Sequence, residues 1–332
     1  MYQILKKLMP STPSVSGREG GVREIIADLM KDFCDEMHTD AMGNLICCKC
    51  GSGSAARVML CAHMDEIGFV VNFIEESGFL RVAPVGGIDY TAAANSLVMF
   101  ENGTRGVLAP EAGKKKDEPP KQDTCYVDIG AKNRREAARK VKIGDCCALA
   151  SGVTRLAASR VCGRPLDDRI GCAVLIDVAR KLKSPAADVY FVFSVQEEVG
   201  CRGAAPAAFG IAPTEALIFD VTGTGDTIGA SPMAVKLGEG VAVKIKDKSV
   251  ICDAALVEKL LSLAKAEGIA AQCEILTYGG TDTSAVQMTG LGCRAGALSI
   301  PCRYIHTGNE MLDMRDAEAA AALALAYLAE VK

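Results

Sequence analysis

The chain of 332 residues is long enough for one large domain or two smaller ones and for a sizeable buried core. Apolar residues make up 49% and charged residues 23%, and the net charge of −4 argues against nucleic acid or an anionic membrane as the main partner. No stretch approaches the roughly 20 apolar residues that a spanning helix needs, and the apolar run at the amino terminus is too short for a signal peptide, so we expect a soluble, cytoplasmic protein.

Helix and strand patterns alternate in two regions of the chain. The segment REIIADLMKDF has a helical period, and ARVMLCAH is a nearly continuous apolar strand that ends at His63. After Arg164, RIGCAVLIDVARKL predicts a helix, VYFVFSV and EALIFDV predict strands, and two more helices follow. Between these regions, short β-rich pieces lie among glycine-containing turns. We predict an α/β domain with a mostly parallel sheet flanked by helices (residues 1–70 and 161–332) and an inserted β-barrel-like domain (residues 71–160).

The 15 cysteines do not form the pattern of a disulfide framework. Their number is odd, and many stand inside apolar runs, where a thiol behaves as a small hydrophobic side chain. The CCKC sequence at residues 47–50 would need a second, similarly spaced Cys or His pair to bind zinc, and the adjacent Cys146 and Cys147 lack the two-residue gap. We therefore interpret residues 47–50 as the end of a strand.

Acidic residues and histidines stand where predicted strands end or helices begin. Each position has a structural explanation when taken singly; Asp168, for example, could simply cap a helix. Together they supply two imidazoles and several carboxylates, a mixed nitrogen and oxygen set that suits zinc, cobalt or manganese and suffices for two ions that share a carboxylate. One of two adjacent glutamates would bind metal, and its neighbour would then be free for proton transfer. The residues in question are His63, Asp65, Asp167, Asp168, Glu197, Glu198, Asp220 and His306.

Six short motifs follow one another in an order that resembles the tetrahedral aminopeptidases, a metallopeptidase family that includes glutamyl and deblocking aminopeptidases and members once labelled endoglucanases. The resemblance covers nearly the whole chain, including VDIGAKNRREA and SVSGREGGVREII. The charged segment at residues 113–123 (GKKKDEPPKQD) departs from the family and is predicted to be a solvated loop. The motifs are HMD at residues 63–65, LDDR at 166–169, QEEVG at 196–200, FDV at 219–221, GGTD at 279–282 and RYIHT at 303–307.

The resemblance implies a role for each of these residues. His63 and Asp220 would hold one metal ion, Glu198 and His306 would hold the other, and Asp167 would bridge the two. Glu197 would act as general base and then as acid, and Asp65 would orient His63. Asp168 would be structural, and the GGTD loop would form part of the wall of the site.

The activity that the resemblance implies is hydrolysis of the amino-terminal residue of short peptides through a water bound by two ions, zinc or cobalt with manganese as a further candidate. The inserted domain would mediate dimers, and the dimers would assemble into a hollow dodecamer. The preferred first residue cannot be read from these motifs.

Several other functions can be weighed against this one. Dimetal deacylases and carboxypeptidases share the His-x-Asp and Glu-Glu motifs, but their accessory domain follows the Glu-Glu pair, whereas here the β-rich segment lies between Asp65 and Asp167. A glycoside hydrolase would use two carboxylates without metal, and its activity would survive chelation. The intact Glu197 argues against a non-catalytic binding protein. A Cys–His hydrolase built on His306 would leave the acidic residues unexplained, and the DVTGTGD sequence that starts at Asp220 lacks the spacing of a dinucleotide site.

Overall fold

The computed structural model describes residues 1–9, 12–112 and 118–331. Its helices are α1 (Tyr2–Leu8), α2 (Gly20–Met30), α3 (Tyr90–Ala93), α4 (Arg134–Ala137), α5 (Arg169–Lys181), α6 (Ala204–Ile211), α7 (Ala254–Ala266), α8 (Asp282–Gln287) and α9 (Met314–Glu330). Its strands are β1 (Glu36–Thr39), β2 (Leu45–Lys49), β3 (Arg57–His63), β4 (Gly68–Ile74), β5 (Leu80–Val85), β6 (Leu97–Phe100), β7 (Arg105–Pro110), β8 (Cys125–Asp128), β9 (Cys146–Leu149), β10 (Thr154–Arg155), β11 (Arg160–Gly163), β12 (Asp188–Ser194), β13 (Glu215–Thr222), β14 (Val241–Lys246), β15 (Ala271–Ile275), β16 (Arg294–Arg303) and β17 (Glu310–Asp313). Within the described residues, no helix combines the length and the apolar character needed to cross a membrane.

A large sheet forms the centre of the fold, in the strand order β1-β2-β12-β3-β13-β16-β17-β11-β10, with β14 beside β16 and β15 beside β14. Its middle strands β12, β3, β13 and β16 are parallel, and antiparallel pairs lie toward the margins. The register aligns His63 with Ser194, so β3 and β12 end at the same edge of the sheet. The predicted α/β class is confirmed, and the parallel centre brings the ends of several strands together.

Helices cover both faces of this sheet, which explains the continuous apolar runs in the sequence. Alternate residues of β3 point to opposite sides. Leu60 packs into the core that contains α1, α2, α5, α7 and α9, whereas Met59 and Cys61 pack into a second core with α6 and α8. Helix α5 is buried along most of its length, and it packs against β3, α1 and α9. Both faces must therefore be apolar, as the sequence of β3 is.

A closed antiparallel barrel of β4-β5-β8-β7-β6-β9 stands between β3 and β10 in the chain. It has a hydrophobic core of its own, which includes Phe69, Phe100, Leu108 and Val127, all at most 1% exposed. The predicted β-barrel-like insertion is therefore present as a distinct packing unit. Of the predicted solvated loop at residues 113–123, residues 113–117 lie outside the described part of the chain, and most of residues 118–123 are exposed.

The cysteines are mostly buried apolar side chains, as the sequence indicated. Cys47 and Cys48 lie in β2, which pairs with β12, and Cys50 follows the strand. Burial raises the pKa of the Cys47 thiol, and it raises that of Cys48 to about 12, so both thiols stay protonated. Among the described residues, no potential metal-ligand group includes any of the three.

Candidate metal centre

A cavity of about 730 Å³ opens where the parallel strands end. His63 is the last residue of β3, Asp220 lies near the end of β13, and Glu197 and Glu198 follow β12. The turn between β11 and α5 supplies Asp167, and His306 lies in the turn between β16 and β17. All of these side chains line the cavity, at the edge where ligands bind in open α/β sheets.

Five of the lining residues form two potential ligand groups that share one member. His63 Nε2 lies 3.1 Å from Asp167 Oδ1 and 3.7 Å from Asp220 Oδ1. His306 Nε2 lies 3.3 Å from Asp167 Oδ2 and 3.2 Å from Glu198 Oε2. Each group thus contains one imidazole and one carboxylate of its own, and Asp167 faces one group with each oxygen.

The pKa shifts of the two histidines show that carboxylates dominate the charge of this site. Burial alone lowers the pKa of His63, but Asp167, Asp220 and Asp65 outweigh it and raise the pKa well above its ordinary value. His306 behaves in the same way beside Asp167 and Glu198, and its pKa rises to about 11. Without another cation, both imidazoles carry protons to balance the carboxylates.

Burial and the neighbouring charges also shift the pKa values of the carboxylates. Burial alone would raise the pKa of Asp167, but the two imidazoles hold it well below its usual range. For Asp220 and Glu198 the burial prevails, and their pKa values are raised. Burial also raises the pKa of Glu197 well above its ordinary value.

These residues fit divalent cations. Glu198 Oε1 is buried and has no hydrogen-bond partner among the described residues, which leaves a carboxylate oxygen that a cation would satisfy. Imidazole nitrogen and carboxylate oxygen are ligands of zinc, cobalt and manganese, and a bound cation would displace the protons that the imidazoles hold.

Asp65, which is predicted to orient His63, also contacts the loop after β12. Its Oδ1 lies 3.4 Å from His63 Nδ1, and the ring nitrogen is also 3.2 Å from the Asp65 carbonyl oxygen. The same carboxylate accepts hydrogen bonds from the backbone N–H groups of Glu197, at 3.0 Å, and Glu198, at 3.2 Å. Ser16 Oγ donates a further bond of 2.6 Å. Asp65 thus joins the end of β3 to the loop after β12.

Glu310 is a buried residue of the site that the sequence analysis missed. Its carboxylate accepts bonds from the backbone N–H groups of Leu166, Asp167 and His306, at 2.7, 3.0 and 3.2 Å. Arg164 Nη1 donates to Glu310 Oε1 at 3.0 Å, and both side chains are almost completely buried. One ion pair therefore positions the backbone of two candidate metal ligands.

Two glycines allow the barrel to approach the candidate metal centre closely, and the sequence analysis missed them as well. Gly86 and Gly87 follow β5. A Cβ atom on Gly86 would lie 2.6 Å from Ile67 Cγ2 and 3.3 Å from Glu198 Cβ, and one on Gly87 would lie 3.3 Å from His306 Nδ1. Gly86 also has a φ of +79°, which L side chains rarely adopt. The close approach therefore requires glycine.

The remaining predicted residues stand around the ligand groups. Asp168 caps α5 by accepting the Gly171 N–H at 2.9 Å, and the Asp167–Asp168 peptide bond is cis. In the GGTD loop, Gly279, Gly280 and Thr281 line the cavity, whereas Asp282 begins α8 and is buried. The third histidine, His38, lies in β1 and does not line the cavity.

The sequence pattern of a known family matches most of the chain. A family model described as M42 glutamyl aminopeptidase matches residues 43–323. The chain belongs to this family. A relative, the lysyl aminopeptidase of Pyrococcus furiosus, is 38% identical over 100% of this chain and 97% of its own length.

Solved structures agree with this assignment. An aminopeptidase from the archaeon Desulfurococcus kamchatkensis is 35% identical and superposes with a TM-score of 0.96 over 99% of this chain and 94% of its own. The TET1 peptidase of Pyrococcus horikoshii, which can assemble into a tetrahedron or a large octahedral shell, is 35% identical, with a TM-score of 0.89 over 99% of both chains. This M42 protein is a metal-dependent aminopeptidase, and the family assignment does not favour a deacylase or a glycoside hydrolase.

Proposed function

We propose that the chain binds two divalent ions, zinc or cobalt with manganese as a further candidate, and removes the amino-terminal residue of short peptides. His63 and Asp220 would hold one ion, Glu198 and His306 would hold the other, and Asp167 would bridge them. The observation that carries this proposal is the pair of ligand groups that share Asp167, because each of its oxygens faces a different imidazole.

The ions, Glu197 and Asp65 would have different roles in the reaction. When bound, the ions would polarise the scissile carbonyl and lower the pKa of water at the site. Glu197, which lines the same cavity, accepts the proton of the attacking water and later delivers it to the departing nitrogen. Asp65 positions Glu197 and Glu198 through their backbone N–H groups and holds the His63 ring.

Replacement of Glu197 tests its role as the general base. The Glu197→Gln variant keeps the shape of the side chain and is expected to bind two ions per chain while kcat falls by about 10²- to 10⁴-fold, the usual contribution of a general acid–base group. Glu101→Gln, at an exposed position on the barrel, is the matched control and is expected to retain full activity. Metal content by elemental analysis and kcat on an aminoacyl chromogenic substrate provide the readouts. Near-normal turnover of Glu197→Gln would refute the assignment.

The lining of the cavity favours an uncharged first residue. Outside the acid and imidazole cluster, Arg303 is the one charged side chain among the described residues of the lining. It is paired with Asp226, Nε to Oδ1 at 3.1 Å and Nη2 to Oδ2 at 2.6 Å, so it offers no free charge to a substrate. The other lining residues are uncharged; they include the apolar or aromatic Leu276, Tyr278 and Tyr304 together with several threonines. We expect kcat/KM for leucyl substrates to exceed that for glutamyl or lysyl ones; the reverse order would refute this preference.

The protein would act as a cytoplasmic homo-oligomer. The β-rich domain at residues 71–160 would mediate dimers, and the dimers would assemble into a dodecamer. Support comes from the Pyrococcus horikoshii peptidase, which assembles into a tetrahedron or an octahedral shell, and the many cysteines suit a reducing compartment. Light scattering of the purified chain tests the assembly, and a monomeric mass at working concentration would contradict it.

A further inference from the structure

A third potential ligand group lies beside the two that share Asp167. Glu197, Cys201 and Asp282 each offer one ligand atom, and the three atoms lie within 4.8 Å of one another. Cys201 Sγ donates a hydrogen bond of 3.2 Å to Glu197 Oε1. Neither Cys201 nor Asp282 has a part in the proposed reaction, so the function does not explain why they converge on Glu197.

Asp282, the buried member of this group, has one carboxylate oxygen that makes no hydrogen bond to the described residues. The residue is 1% exposed at the start of α8, and its Oδ2 accepts a bond of 2.6 Å from Ser194 Oγ. Its Oδ1 is buried and has no hydrogen-bond partner among the described residues. A buried carboxylate oxygen without a partner is costly, and a bound cation would satisfy it.

The loop after β12 holds Cys201 against Glu197. The Glu197 carbonyl oxygen accepts hydrogen bonds from the N–H groups of Gly200, at 2.9 Å, and Cys201, at 2.8 Å. Residues 197–201 therefore form a tight turn. Cys201 has a φ of +54° within this turn. Both Glu197 and Cys201 line the cavity, which gives an ion a path from solvent, and Asp282 closes the group from the buried side.

The donor set selects the class of ion. One sulfur and two carboxylates suit zinc, cobalt or cadmium, whereas magnesium and calcium prefer oxygen ligands alone. Burial raises the pKa of the Cys201 thiol, and the neighbouring Glu197 adds to this effect. The thiol therefore carries its proton while the group is empty, and a binding ion forms a metal–sulfur bond as that proton is released to solvent.

We propose that Glu197, Cys201 and Asp282 form a third divalent-ion site that inhibits the enzyme when zinc is in excess. An ion in this site coordinates Glu197 and takes away its capacity to accept a proton. The inhibition rests on the proposed function, since it requires Glu197 to be the base, whereas the binding of the ion does not.

Cobalt titration tests the binding directly, because sulfur is absent from the two ligand groups that share Asp167. Chelated protein titrated with Co²⁺ is expected to take up a third ion with a thiolate-to-cobalt charge-transfer band in the near ultraviolet. Cys201→Ala is expected to lose that band, and Cys50→Ala, which removes an exposed thiol elsewhere, is expected to keep it. If Cys201→Ala fails to fold, Cys201→Ser serves in its place. A missing band in the parent protein, or a band that persists without Cys201, would overturn the proposal.

Zinc titration tests the inhibition. The activity of each variant is divided by its own activity at two equivalents of zinc, so that any effect on basal turnover cancels. The zinc concentration for half-inhibition is expected to rise at least about tenfold in Cys201→Ser and in Asp282→Asn, because the loss of a residue that only hydrogen-bonds to a metal ligand already costs about 10- to 100-fold in metal affinity. Equal inhibition of these variants and the parent would overturn the inhibitory role. Glu197→Gln could retain full turnover while the parent protein shows the cobalt band. In that case the assignment of Glu197 as the base fails, and the third ion site stands.

Discussion

Replacement of Asp65 by asparagine preserves the shape of a completely buried side chain and removes its charge. Oδ1 accepts the Glu197 N–H and Oδ2 accepts the Glu198 N–H, so each carboxylate oxygen serves one backbone donor. Asparagine has a single acceptor oxygen, and its NH₂ group must face the other backbone N–H. A buried donor left without an acceptor costs about 1–3 kcal/mol. This free energy is expected to destabilise the active conformation of the loop that carries Glu197 and Glu198. Since 1.36 kcal/mol corresponds to a factor of ten, kcat/KM is expected to decrease by about 5- to 150-fold.

The assay must separate this effect from loss of metal, because Asp65 also lies beside the His63 ring. Turnover of an aminoacyl substrate is therefore measured with two equivalents of metal per chain, and elemental analysis shows whether loading equals that of the parent. Ser16→Ala is the matched control, since it removes one bond to the same carboxylate and leaves an acceptor for both backbone N–H groups. We expect a smaller loss of turnover for the control. A fully loaded Asp65→Asn variant within twofold of the parent in kcat/KM would refute the reasoning.

Three further predictions concern the surroundings of the metal ligands. Asp167→Asn is expected to lower metal occupancy at both ligand groups, because its two oxygens face different imidazoles; full two-ion loading by elemental analysis would count against the bridge. Glu310→Gln removes the nearer of the two buried carboxylates that face Arg164, the other being Glu66 at 3.7 Å, and is expected to destabilise the fold by about 1–3 kcal/mol in denaturant unfolding, while an unchanged midpoint would contradict the predicted role of the pair. Gly86→Ala is expected to lose more stability and activity than Gly103→Ala, because both glycines have positive φ but nothing lies within 4 Å of a Cβ on Gly103; equal losses would show that the close approach is unimportant.

Much of the fold could be predicted because its signals are local. A helix or strand is indicated by apolar residues at a period of 3.6 or 2 within one segment. The unbroken apolar run of β3 predicted a sheet with two covered faces, and the two cores on either side of Met59 and Leu60 explain why no polar residue interrupts it. The short strands between glycine turns predicted a barrel-like insertion in the same way. The domain boundaries at residues 70 and 161 remain a prediction.

The candidate ligands could be named from the sequence because each follows a strand or precedes a helix. The carboxyl ends of parallel strands meet at one edge of a sheet, so His63 and Asp220 were expected to lie near each other. Their separation was beyond such reasoning, as was the fact that Asp167 faces an imidazole with each oxygen. Those distances depend on the turns that carry Asp167 and His306, and His306 itself has a positive φ that no sequence pattern indicated.

The sequence by itself determined the elements, the class of fold and the types of residue that could bind metal, because these follow from side-chain chemistry and from periods of a few residues. Only the tertiary structure decided which distant side chains hold the candidate site residues in place. Glu310 reaches Asp167 across 143 positions of the chain, and Asp65 reaches the loop at Glu197 across 132. Such contacts are fixed by how whole elements pack and how loops close, and a buried carboxylate that accepts backbone N–H groups looks in sequence like any other acidic residue.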